Sequence, residues 1–164
     1  MGFYQMSKQQ KKLNENQIGI LISQLEERYR SIHIIRERAQ NISLWVLGIF
    51  ATAAGWLIQS KVELNNSKKI FASVVVILAY ITIRFYYLGD LNKGFKGQQR
   101  VAANIEDTLG LFKEGIYTEE TILPSSWKLA GQKGSDGNFF DTIFVILGVA
   151  VAILILGIVL KGII

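Results

Sequence analysis

The chain has 164 residues, half of them hydrophobic, with no cysteine and a single histidine. Without cysteine there are no disulfides, thiol catalysis or thiolate metal sites, and one histidine removes the usual histidine-rich metal and acid–base sites. A net charge of +5 on so apolar a chain favours basic membrane-flanking loops and anionic lipid over a nucleic-acid partner.

The N-terminal part divides into a polar tail, 1–16, and an amphipathic helix, 17–40. We expect the tail to be solvated, although its lysines could also touch anionic headgroups. No apolar run of signal-peptide length occurs in this part, so we expect the N-terminus to be retained. Apolar residues recur over 17–40 at intervals of three and four, which predicts one apolar stripe on a helix. No Pro or Gly separates this helix from the apolar segment that follows, so the two are expected to be continuous.

Residues 41–88 are predicted to form a transmembrane hairpin. Residues 39–60 include no charge over 22 positions, and a second apolar segment covers 70–88. A helix needs about 20 apolar residues to cross a bilayer core. We therefore predict spans at about 42–60 and 70–88, joined by the polar loop 59–69.

Small residues give the first span closely packing faces. Gly48 and Thr52 are four residues apart, as are Ala51 and Gly55, and such spacing lets helix backbones approach one another. These faces could pack against the second span of the same chain or against another copy, and both uses are expected.

Aromatic and basic residues near the span ends are predicted to anchor the protein at the bilayer boundary. They are Trp45 and Trp56 in the first span and Tyr86 and Tyr87 in the second, matching the aromatic belts of membrane proteins. Arg84 is expected to extend to the interface, the alternative being a functional intramembrane arginine.

Residues 89–141 are predicted to begin with a second amphipathic helix, to Phe112, with Gly115 at its C-terminal cap. If it emerges on the same side as 17–40, the apolar stripes of the two helices would pair. The residues expected to pair are Leu25, Tyr29, Ile32, Phe95, Ile105, Leu109 and Phe112. A further short helix could start at Ser125, with Trp127 as an interfacial anchor, and the glycine-rich stretch 130–137 is interpreted as a linker.

The third apolar segment, 142–160, has 19 residues without a charge and begins the final unit, 142–164. Gly148 and Ala152 give it one small face.

The distribution of Lys and Arg predicts the orientation of the chain in the membrane. Fourteen of them lie in segments predicted on the same side of the membrane as the N-terminus, including the 84–141 region, against four on the other side. This bias predicts a multi-pass protein of the inner (cytoplasmic) membrane, with its N-terminus inside. The predicted fold is all-α: three transmembrane helices with a cytoplasmic amphipathic helical bundle.

The sequence offers little that indicates chemistry. His33 follows Arg28 by five residues, the spacing of the HEPN ribonuclease motif, but the alternative is an ordinary surface histidine. No catalytic, cofactor-binding or metal-binding set is predicted. We therefore expect a protein that is not an enzyme and has no cofactor, with the lipid bilayer and further copies of itself as partners and no nucleic acid.

The order of elements resembles the SLATT family of bacterial two-span membrane effectors. The resemblance is one of layout and covers about two-thirds of the chain, in which 27–38 leads into 42–58, and 70–88 leads into 91–112. It implies an oligomerising effector in bacterial defence that forms a pore or disrupts the membrane when a partner sensor is activated. The alternative is a scaffold, accessory subunit or immunity-type membrane protein that docks a cytoplasmic protein partner through 89–141.

Overall fold

A computed structural model describes residues 13–161, and the regular secondary structure among them is helical, with no strand. The elements are α1 (Glu15–Gln59), α2 (Asn66–Ile81), a π-helical segment (Thr82–Leu88), α3 (Gly89–Leu109), α4 (Ser125–Lys133) and α5 (Phe139–Leu160). The all-helical prediction is confirmed, and three helices are long and apolar enough to cross a membrane. Most of the predicted polar tail, residues 1–12, lies outside the described part of the chain.

α1 joins the predicted amphipathic helix and first apolar segment in one helix of 45 residues, about 67 Å long. It begins at a capping box in which the Asn14 side chain accepts a hydrogen bond from the Gln17 backbone and the Gln17 side chain accepts one from the Asn14 backbone. No proline occurs between Asn14 and Ser60, where the helix ends.

α2, the π-helical segment and α3 form a second rod of 44 residues. The rod ends at Leu109 because Gly110 adopts the left-handed conformation, with φ 82°, which a glycine accepts without steric cost. The prediction that this helix reaches Phe112 and ends at Gly115 is therefore wrong.

α4 begins at Ser125, as the sequence indicated, but it also takes up part of the predicted linker 130–137. Gly131 lies in the helix and against α3, where a Cβ on Gly131 would be 2.7 Å from the Cβ of Ala103. Gly134 then ends α4 with φ 69°. These glycines serve close packing and helix capping, so the linker interpretation fails for 130–134.

α5 lies between α1 and α2, which make little direct contact with each other. Near the connection between α1 and α2, Leu154 and Ile158 of α5 are buried with Ala54 of α1, and Ala72 of α2 packs against them. Gly157 allows the closest approach, since a Cβ there would lie 3.2 Å from the Cβ of Ala54. The predicted hairpin is thus held together by the third apolar helix.

A second buried cluster joins the apolar helices to the more polar bundle formed by the N-terminal half of α1, α3 and α4. We call it the junction. Phe95 and Phe140 meet edge to face within it, with ring centroids 5.8 Å apart. Its buried members are Ala39, Leu88, Phe95, Phe140, Ile143 and Leu147. Because α1, α3 and α5 all contribute, the junction fixes how the two bundles meet.

We predict that Gly157→Leu lowers the free energy of unfolding in detergent by about 1–3 kcal/mol, the usual effect of overpacking. The larger side chain would push α5 away from Ala54. Gly97→Leu is the matched control, because no atom lies within 4 Å of a Cβ at that helical position. Thermal unfolding followed by circular dichroism measures both, and equal stability of the two variants would contradict the packing described.

Candidate functional site

The face of α1 opposite α5 is uncovered. Gly48 and Thr52 line a shallow apolar groove of about 630 Å³ between Trp45 and Trp56, whose side chains are 72% and 59% exposed. No atom lies within 4 Å of a Cβ at Gly48 or Gly55, and Ala51 is exposed. Packing of this face against the second span of the same chain, one of its two expected uses, does not occur. Contact with another copy stays a prediction.

The small face predicted on α5 has a different position. Gly148 faces α2, and a Cβ there would lie 4.0 Å from the hydroxyl oxygen of Tyr80. Ala152 is exposed. Gly148 therefore makes room for a side chain of the same protein, whereas Ala152 is left uncovered within the protomer.

Arg84 lies in the π-helical segment, a geometry that is often found at functional sites. Its Nη1 donates a hydrogen bond of 2.6 Å to the Tyr80 hydroxyl, one turn earlier in the chain. The guanidinium carbon is 4.9 Å from the ring centroid of Phe144 in α5 and 5.6 Å from that of Phe85. The side chain is thus held among aromatic rings between α2 and α5 by cation–π contacts.

The other predicted anchors, Tyr86, Tyr87 and Trp127, are exposed but lie at different positions along the length of the second rod. Tyr86 and Tyr87, 70% and 42% exposed, are at the end of the apolar segment. Trp127 is 63% exposed and stands beside Lys128, whose Nζ lies 2.7 Å from Asp107. Asp107 is 19 residues beyond Leu88, about 28 Å along the rod. This position of Trp127 favours a protein contact over a bilayer boundary.

The two amphipathic helices pack against each other as α1 and α3. Phe95 and Leu109 are buried, Ile32 packs against the junction, and Leu25, Ile105 and Phe112 are half-buried. The remaining residue of the predicted set, Tyr29, is half-exposed and donates a hydrogen bond from its hydroxyl to Glu106.

Glu106 is a buried carboxylate, 7% exposed, in the last turn of α3 where that helix contacts α1. Partial burial, together with the hydrogen bond to Glu106 and its charge, raises the pKa of Tyr29 to about 12. Close by, Arg28 donates hydrogen bonds to Gln98 at 2.9 Å and Gln24 at 3.2 Å. This polar layer penalises a shift of α3 along α1, because a shift would leave the Glu106 carboxylate buried without a donor.

The Arg28 and His33 pair is not assembled into one site. The Arg28 guanidinium is engaged by the two glutamines, and His33 is exposed. Five residues turn a helix by about 500°, so the two side chains leave α1 in different directions. Within one protomer the structure therefore does not bring the two side chains together, and the nuclease interpretation stays untested.

Two lysines that the sequence analysis did not single out hold helix ends together. Lys69 Nζ donates to the Val159 carbonyl of α5 at 3.1 Å, and Lys161 Nζ donates to the Ser60 carbonyl at the end of α1. Both interactions satisfy carbonyl groups at or beside helix C-termini, where cations are favourable. The position of Lys161 directly after the last turn of the third apolar segment could have indicated this role from the sequence.

In residues 13–161 no group of three or more His, Asp and Glu is placed to hold a metal ion. No protein-family model, curated protein or solved structure matches the chain. Its function is therefore inferred from its own residues.

We predict that Tyr29→Phe destabilises the protein by about 1–2 kcal/mol, because the buried Glu106 carboxylate loses its hydroxyl donor. Tyr117→Phe is the matched control, since its hydroxyl donates to the Leu109 backbone carbonyl near an exposed loop. Chemical unfolding in detergent measures the difference. A loss for Tyr29→Phe no larger than that of the control would contradict a specific polar layer.

The same pair predicts a pH dependence. The Tyr29 pKa is about 12 in the folded protein and about 10 in an unfolded chain. A raised pKa contributes stability below the unfolded value that is lost as the pH rises through the folded value. The stability advantage of wild type over Tyr29→Phe should therefore be constant below pH 9 and shrink between about pH 10 and 12. An advantage that grows over this interval would refute the raised pKa.

Proposed function

We propose that the chain is a three-span integral membrane protein that self-associates and acts by pore formation or membrane disruption. The N-terminus and residues 89–141 would lie in the cytoplasm. Support comes from how little of each apolar helix is covered within one protomer. The most apolar windows of α1, the α2–α3 rod and α5 are 11%, 0% and 33% buried. Lipid and further copies of the chain would cover the rest.

The uncovered face of α1 is the observation that carries the proposal. Gly48 and Thr52 let a second helix come close, and close approach is the main source of helix association where lipid removes the hydrophobic driving force. This face points away from α5. A second copy could therefore bind to it without disturbing the packing inside the protomer.

A conducting path would have to form between copies. α5 fills the space between α1 and α2, so a single protomer has its three apolar helices packed together. Thr52 and Gln59 are seven residues apart and both exposed, which puts two polar side chains on one side of α1. Copies that meet through this side would bring these polar groups together within a bilayer.

The layout shared with SLATT-type effectors extends the proposal to a role in bacterial defence at the inner membrane. α1 would transmit a movement of the polar bundle to the apolar helices, because it runs through both without a break. A partner that moves the polar bundle would move the self-association face with it.

A second candidate is a scaffold, accessory subunit or immunity-type protein that docks a partner through 89–141. The exposed apolar side chains of α4 favour it: Trp127 and Leu129 are 63% and 59% exposed, far from the apolar helices. A stoichiometric partner that co-purifies with wild type and is lost from Trp127→Ala would support this function.

We predict that Gly48→Leu combined with Thr52→Leu weakens self-association by about tenfold or more, a loss of at least about 1.4 kcal/mol. The added side chains would keep the backbones apart, while the protomer keeps its fold because nothing occupies the space at Gly48. Mass photometry of detergent-solubilised protein gives the oligomeric state. A potential-sensitive dye reports membrane integrity during expression.

Val75→Leu is the control for this pair, since it enlarges an exposed apolar side chain on α2 instead. It should leave both readouts unchanged. A monomeric wild-type protein whose expression leaves the membrane potential intact would refute the pore proposal.

A further inference from the structure

A polar cleft of about 610 Å³ lies where the ends of the three apolar helices meet, beside the loop between α1 and α2. We call it the loop-end cleft. Its lining includes Lys61, Lys68 and Lys161, with Glu63, Val62 and Leu64. A volume of this size is typical of clefts that hold small molecules.

The loop-end cleft has an excess of positive charge. Three ammonium groups line it against the single carboxylate of Glu63. Within residues 13–161 none of these lysines has a carboxylate oxygen within 4 Å, the ion pairs found there being Asp90–Lys93 and Asp107–Lys128. Cations that line one concave surface add their potentials and attract anions into it.

The lysines in this region have different tasks. Lys69 and Lys161 donate to carbonyls at the ends of α5 and α1, which accounts for their positions. Lys61 and Lys68 have no such hydrogen bond within the described residues, although both line the cleft. Both side chains are exposed, and helix packing does not use their ammonium groups.

We propose that the loop-end cleft binds a phosphate-bearing anion. Lysine is a common phosphate ligand that acts as a compact point charge. The cleft is at the ends of three helices long enough to cross a bilayer, the level at which phospholipid headgroups lie. Val62 and Leu64 provide apolar surface beside the charges, which suits the glycerol region of an anionic phospholipid. A soluble phosphate compound shares the same recognition chemistry.

The test uses the full-length chain in neutral detergent. Native mass spectrometry compares the binding of phosphatidylglycerol with that of zwitterionic phosphatidylcholine, and a separate titration uses inorganic phosphate. The variant is Lys61→Gln combined with Lys68→Gln. Lys113→Gln with Lys133→Gln removes the same charge from exposed positions outside the cleft. Circular dichroism checks that both double variants keep their helices.

A preference of wild type for phosphatidylglycerol should fall about fivefold per cleft lysine removed, the factor for about 1 kcal/mol per basic residue, and persist in the control. That result supports a lipid headgroup. Binding of inorganic phosphate with the same dependence on Lys61 and Lys68, but without a lipid preference, supports a soluble phosphate compound. Binding of neither by wild type, or equal losses in both double variants, overturns the proposal. The cleft is formed within one protomer and does not depend on self-association. A monomeric protein that binds phosphate would therefore refute the self-association proposal and leave the cleft proposal standing.

Discussion

The packing of α5 between α1 and α2 is the contact on which the rest of the structure depends. The loop between α1 and α2 connects two helices that make little direct contact, so these two helices do little to hold each other in place. Ala54 meets Gly157 near the loop, and Leu147 and Phe140 fill the junction at the other end. The final helix of the chain thus completes a packing that the first two apolar segments only begin.

Arg36 extends this dependence into the polar bundle. Its guanidinium carbon lies 5.2 Å from the ring centroids of both Phe95 and Phe139, and it donates a hydrogen bond to the Asp136 carbonyl. One side chain of α1 therefore contacts α3, the start of α5 and the turn that leads into α5. Such a contact combines cation–π attraction with the long apolar stem of arginine. It ties the entry of α5 to the same helix that α5 later packs against.

Hydropathy and helical periodicity were enough to predict the helical class, the three apolar segments and the contact between α1 and α3. They could not identify packing partners. A small residue four positions from another indicates that a backbone can be approached, but not by which helix. The spacing therefore leaves the Gly48 face open to the second span or to another copy, and it does not point to Gly157. Glu106 was missed for a related reason. A glutamate in an amphipathic pattern indicates solvent, and only the position of Tyr29 across the contact explains its burial.

The π-helical segment gives the second rod a phase change. Its backbone hydrogen bonds span five residues instead of four, so each turn takes up more residues and the side chains beyond it are rotated relative to those before it. α2 directs Tyr80 towards α5, and α3 directs Phe95 towards the junction and Glu106 towards Tyr29 of α1. In a uniform helix the angle around the helix axis between these side chains would follow from their spacing in the sequence alone. The wider turn lets a single unbroken rod engage two different neighbours, and it puts Arg84 at the point where the rod changes partner.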